Sequence, residues 1–143
     1  MRFEHFALNV PDVRATVAWY VQHLGLLVAR ARAEAPYTTF LGDEAGRVFL
    51  ELYTNPKDPI PDYAAQHPLR VHFAFAVKDA EAECARLQRA GATLIVKEPM
   101  PDGTLLIMLR DPWGVPVQLC QRTQPFTTLL AFATRPVVPE RAG

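Results

Sequence analysis

Residues 5–10 read "HFALNV" and residues 72–77 read "HFAFAV". Each run puts a histidine at the head of an otherwise apolar, strand-like stretch. A histidine in a buried strand needs a partner, so two in matching positions raise the question of what they share. Aligning His5 with His72 also aligns Phe6 with Phe73, Ala7 with Ala74, Val10 with Val77 and Asp12 with Asp79. The chain is therefore written twice.

The repeat extends into the next elements. Val13, Val17, Tyr20 and Leu24 recur at helical spacing, as do Ala80, Cys84 and Leu87. Asp12 and Asp79 stand where an N-cap carboxylate satisfies the free amides of a first turn. Gly25 and Gly91 stop the two helices. Three strand candidates follow each glycine. They are "LLVAR", "PYTTFLG" and "RVFLELY" in the first half, and "TLIVK", "TLLIMLR" and "VPVQLCQ" in the second. Each half thus reads β-α-β-β-β. The predicted class is α+β, with two tandem modules at 1–54 and 69–122 and a proline-marked linker at 55–68. Residues 123–143 match neither repeat and read as a C-terminal extension.

Bulk composition narrows the function. Fifteen basic residues balance fifteen acidic ones, against the basic excess usual for nucleic-acid binding. The same balance argues against an anionic membrane surface. No apolar run nears the roughly 20 residues of a membrane span, and the N-terminus lacks a signal-peptide layout. Two distant cysteines make no disulfide framework. The expectation is a soluble cytoplasmic protein.

Strand parity then assigns faces. Phe6, Leu8 and Val10 share one side, so His5, Ala7 and Asn9 share the other. Phe73, Phe75 and Val77 likewise oppose His72, Ala74 and Ala76. In the last strand of each half, Val48, Leu50 and Leu52 oppose Phe49, Glu51 and Tyr53, while Val115, Val117 and Leu119 oppose Pro116, Gln118 and Cys120. His5 and Glu51 are 46 residues apart, and so are His72 and Gln118. If the halves pair through their sheets, these four side chains converge in one cleft. Two imidazoles and a carboxylate are a common ligand set for Zn²⁺, Ni²⁺ or Fe²⁺ with open positions. A buried glutamate without a partner costs several kcal/mol, which a cation offsets. By parity Phe49, Tyr53 and Cys120 are weak candidates for the pocket wall. Arg47, Arg70 and Arg110 flank strand ends and are candidates for an anionic substrate group.

"EHFALNVPDVRATVAWYVQHLGLLV", "RVHFAFAVKDAEAECARLQRAGATLI" and "DPWGVPVQLCQ" together resemble the vicinal oxygen chelate superfamily, over about residues 1–122. That superfamily includes glyoxalases, epimerases, extradiol dioxygenases, fosfomycin-modifying transferases and metal-free bleomycin-binding proteins. The resemblance implies a curved mixed sheet around a cleft, with helices on the outer face. It places the metal ligands at His5, Glu51, His72 and Gln118. It implies a divalent metal (Zn, Ni or Fe), a small oxygenated substrate and glyoxalase- or epimerase-type lyase or isomerase chemistry, with Glu51 as the base. It also implies a homodimer, in which halves from two chains sometimes complete each cleft. Gln118 departs from the pattern, because most metal-dependent members carry glutamate there. That departure keeps a second reading open, a metal-free drug- or metabolite-binding protein, and a third, an interaction module with no site.

Overall fold

The computed structural model describes residues 2–126. The expected extension at 123–143 therefore lies, beyond Phe126, outside the described residues. Two β-α-β-β-β modules follow one another. The first comprises β1 (Phe6–Asn9), α1 (Val13–Leu24), β2 (Leu27–Ala31), β3 (Thr39–Gly42) and β4 (Val48–Tyr53). The second comprises β5 (Phe73–Ala76), α2 (Ala80–Arg89), β6 (Thr93–Pro99), β7 (Leu105–Arg110) and β8 (Pro116–Gln121). Each module makes a four-stranded mixed sheet, ordered β1-β4-β3-β2 and β5-β8-β7-β6. The first strand of each sheet runs parallel to the last, and the other pairs are antiparallel.

The helix boundaries follow from their caps. Asp12 Oδ1 accepts from the Ala15 amide at 3.0 Å, and Asp79 Oδ1 from the Ala82 amide at 2.9 Å. Each satisfies one of the orphan donors of a first turn. Gly25 closes α1 at φ +69°, a left-handed backbone that residues with a Cβ adopt only under strain. The third strand of the first module is shorter than "PYTTFLG" predicts and begins at Thr39. Tyr37, at φ +58°, turns the chain out of extended backbone just before it.

Most of the apolar-face residues read from parity are buried, although Asn9, Pro116 and Cys120 on the opposite faces are buried as well. Leu8, Val10, Leu50 and Leu52 are fully or almost fully buried beneath α1, and Ile107, Leu109, Val117 and Leu119 beneath α2. Both helices contribute to one common core. The modules are also tied directly. Trp19 Nε1 of α1 donates to the Ala90 carbonyl at 2.7 Å, Arg86 of α2 donates to the His23 carbonyl at 2.7 Å, and the Phe6 and Phe73 rings lie 6.2 Å apart.

The linker is better anchored than its prolines suggest. Tyr63 is buried, and its hydroxyl donates to the Asn9 carbonyl at 3.0 Å. Burial pushes its pKa up to about 12. Arg110 donates to the carbonyls of Tyr63, Gln66 and Gly114. Three of the Arg110 donors are thus committed to backbone, which gives the side chain a structural role in anchoring the linker, rather than the anionic-substrate role expected from the sequence. Arg47 is likewise paired, with Asp43 at 2.8 Å. Gly114 makes the tightest approach. A Cβ there would stand 2.7 Å from the Ala64 nitrogen, and its φ is +88°. Gly114→Ala is therefore expected to cost about 3 kcal/mol or more, from backbone strain and overpacking together. A urea midpoint within a few tenths molar of wild type would contradict that.

Candidate functional site

The backbone register places Ala7 opposite Glu51, and Glu51 opposite Phe40, so these residues share one face of the N-terminal sheet. His5 stands one residue before β1 and joins them. Its ring meets Phe40 edge-on, with centroids 5.2 Å apart at 78°. Its Nε2 lies 3.1 Å from Glu51 Oε2, and both side chains are partly exposed. Its other nitrogen, Nδ1, meets the Glu4 carboxylate. The small Ala7 on this face leaves the space beside the pair open.

The C-terminal module repeats this plan with Gln118 in place of the carboxylate. Ala74 pairs with Gln118, and Gln118 with Met108. His72 stands one residue before β5. Its Nδ1 lies 3.1 Å from the Pro68 carbonyl, which can only accept, so Nδ1 carries a proton and donates it there. Cys120 is buried and its thiol lies 3.4 Å from Gln118 Oε1. Burial pushes that thiol above its ordinary pKa, so it stays protonated and donates to the amide oxygen.

The structure thus brings His5 to Glu51, and Cys120 to Gln118. Within one chain it does not gather all four of the polar residues picked out by parity. Among the described residues, no three His, Cys, Asp or Glu side chains come close enough together to hold an ion. The donor chemistry nevertheless fits a divalent metal as two half-sites. Donors bound cis at about 2.0–2.2 Å from one ion lie about 3 Å apart, which matches the His5–Glu51 separation. A carbonyl behind the Nδ1 of His72 is the outer-shell arrangement that ligating histidines use.

The remaining wall residues divide. Phe49 lines a cleft of about 720 Å³ between the modules, where it meets Phe75 with ring centroids 6.4 Å apart. Charged pairs rim this cleft, Asp43–Arg47 on the β3–β4 turn and Glu83–Arg86 on α2. Tyr53 is half-buried at the end of β4, opposite Asn9.

Two contacts escaped the sequence. Strand parity puts Glu4 on the side away from His5, but β1 begins only at Phe6, so the rule lapses before it reaches them. The Pro68 carbonyl carries no side-chain signal at all.

Comparison with known proteins agrees with the fold. The sequence matches the Glyoxalase/Bleomycin resistance protein/Dioxygenase superfamily over residues 2–119. It is 28% identical over 131 residues to a probable lactoylglutathione lyase of Vibrio cholerae, covering 86% of this chain and 92% of that protein. It is 26% identical over 129 residues to a lactoylglutathione lyase of Salmonella typhimurium, covering 85% and 93%. Among solved structures, a glyoxalase I variant from Zea mays superposes with a TM-score of 0.65 at 26% identity, over 86% of this chain and 46% of that one. The antibiotic binding protein TnmS3 from Streptomyces gives the same TM-score at 20% identity, over 86% and 97%, and shares the fold. The chain belongs to the Glyoxalase/Bleomycin resistance protein/Dioxygenase superfamily.

Proposed function

We propose that this protein is a metal-dependent lyase or isomerase of glyoxalase type, acting on a small oxygenated substrate. The observation that carries the reading is the His5–Glu51 pair, 3.1 Å apart on an open sheet face. Its pseudo-symmetric counterpart is the pair His72 and Gln118. The metal is held by His5, Glu51, His72 and Gln118, and is Zn²⁺, Ni²⁺ or Fe²⁺. When bound, it supplies Lewis-acid charge that polarises a substrate carbonyl. Glu51 is the one carboxylate of the four. It takes a proton from the carbon beside that carbonyl and returns it to the neighbouring carbon. His5 and Phe40 flank Glu51 and hold its side chain in place. The lactoylglutathione lyases among its relatives make a 2-hydroxyacyl compound the substrate class to test first.

The two half-sites meet when two chains associate, with His5 and Glu51 of one protomer facing His72 and Gln118 of its partner. Support comes from the four residues' failure to gather within one chain, and from β1 and β5, each an edge strand with one side unpaired in its sheet. The domain is taken to span 1–122 and to act in the cytoplasm.

Metal analysis tests this reading first. Protein purified without chelators is expected to carry stoichiometric transition metal, and His72→Ala to lose it. The reading is overturned if no metal is found and added Zn²⁺, Ni²⁺ or Fe²⁺ leaves the melting temperature unchanged. One observation favours a second reading, a metal-free protein that binds a drug or metabolite. The Gln118 oxygen is already engaged by the Cys120 thiol, while an aromatic-lined cleft of about 720 Å³ stands open between the modules. Stabilisation by an aromatic ligand but by no metal would select it.

A further inference from the structure

The two half-sites differ in what stands behind each histidine. His72 Nδ1 meets a neutral carbonyl, whereas His5 Nδ1 meets the carboxylate of Glu4. The N-terminal half therefore sets two carboxylates, Glu4 and Glu51, around one imidazole. The C-terminal half offers an imidazole, an amide and a protonated thiol, with no carboxylate among them.

A neutral imidazole has one ring proton, and here a carboxylate competes for it at each nitrogen. If Glu51 wins, Nε2 carries the proton and has no lone pair to offer beside that carboxylate. If Glu4 wins, Nδ1 carries the proton and the Nε2 lone pair points into the space at Glu51. Phe40, packed edge-on, holds the ring in the orientation where each nitrogen faces its own carboxylate.

We propose that Glu4 is a positioning residue. It holds the Nδ1 proton of His5, keeps Nε2 available beside Glu51, and supplies from behind the ring the negative charge that Gln118 withholds. This inference rests on the metal-dependent reading and deepens it. Carboxylates behind metal-ligating histidines fix ring orientation and raise ligand basicity in the same way.

The test uses the full chain, metal-free and ¹⁵N-labelled at histidine, as wild type, Glu4→Gln and Glu4→Ala. His5 is assigned through a His5→Asn variant. Spectra are recorded at the alkaline end of a pH series, on the plateau where the ring signals no longer change with pH. The wild type is expected to hold His5 mainly as the Nδ1–H form, and both variants to shift it toward Nε2–H. Competition against a chelator is expected to show at least a tenfold loss of Zn²⁺ affinity in both variants. Glu4 is exposed, so the melting temperatures should coincide. A His5 tautomer identical in wild type and variants overturns the inference, even if the wild type binds metal. A tautomer that shifts in a wild type that takes up no metal keeps Glu4 as the positioning residue of His5 and sinks the metal-dependent reading instead.

Discussion

Glu51→Gln is expected to lower kcat/KM by about 10²–10⁴-fold, the range in which removing a positioned general base falls. Conversion of a 2-hydroxyacyl thioester, followed by its ultraviolet absorbance, gives the readout. The substitution keeps the volume and one oxygen, so Phe40 and Ala7 still frame the site. What goes is the one carboxylate among the four aligned residues. In a site with two glutamates, losing one would leave the other to move the proton. Here Gln118 offers only a neutral oxygen, which the Cys120 thiol already engages. The loss should fall on kcat more than on KM, because the substrate still meets the same walls. Stability should change little, since the His5–Glu51 pair is partly exposed and pairs of that kind contribute at most about 1 kcal/mol. A variant that keeps turnover within threefold of wild type would remove Glu51 from the base role and turn attention to the metal-free binding reading.

The repeat made the fold legible. Side-chain alternation in "HFALNV" and "HFAFAV" separated Leu8 and Val10 from Ala7, and the buried side is the predicted one. Asp12 and Asp79 announced the helix starts, because a capping carboxylate is a local device that tertiary context rarely overrides. The site was legible only as two pairs. Equal spacing of 46 residues brought His5 to Glu51's face, but parity says nothing about how one sheet is set against the other. That relation depends on contacts far apart in sequence, such as Trp19 to Ala90 and Tyr63 to Asn9. Nor could residue type reveal the acceptors behind the histidines. One is a backbone carbonyl, and the other belongs to a residue just outside the strand where alternation applies.

Asp111→Ala should destabilise the chain by about 3–5 kcal/mol, the largest stability effect expected of a single side chain here. Asp111 sits almost fully buried in the turn before β8. One oxygen accepts from the amides of Trp113 and Val115 at 2.9 and 2.8 Å, and the other from the Tyr20 hydroxyl at 2.7 Å. Tyr20 belongs to α1, so the bond joins the two modules through the core. Alanine would leave three donors without partners, two of them in the turn that Gly114 keeps tight against Ala64. Asp111→Asn keeps an acceptor for the amides and should cost less, which separates the hydrogen bonds from the charge. Burial holds the Asp111 carboxyl above its ordinary pKa in the folded chain. Between its unfolded value of about 4 and that raised value, the native state binds the extra proton, so this group's contribution to stability falls as pH rises. The asparagine variant lacks that slope. Its deficit relative to wild type should therefore be smallest near neutrality and widen as pH falls through the window. Urea unfolding across that range measures it, and a deficit that narrows on acidification would mean Asp111 is held ionised by its three donors rather than strained by burial.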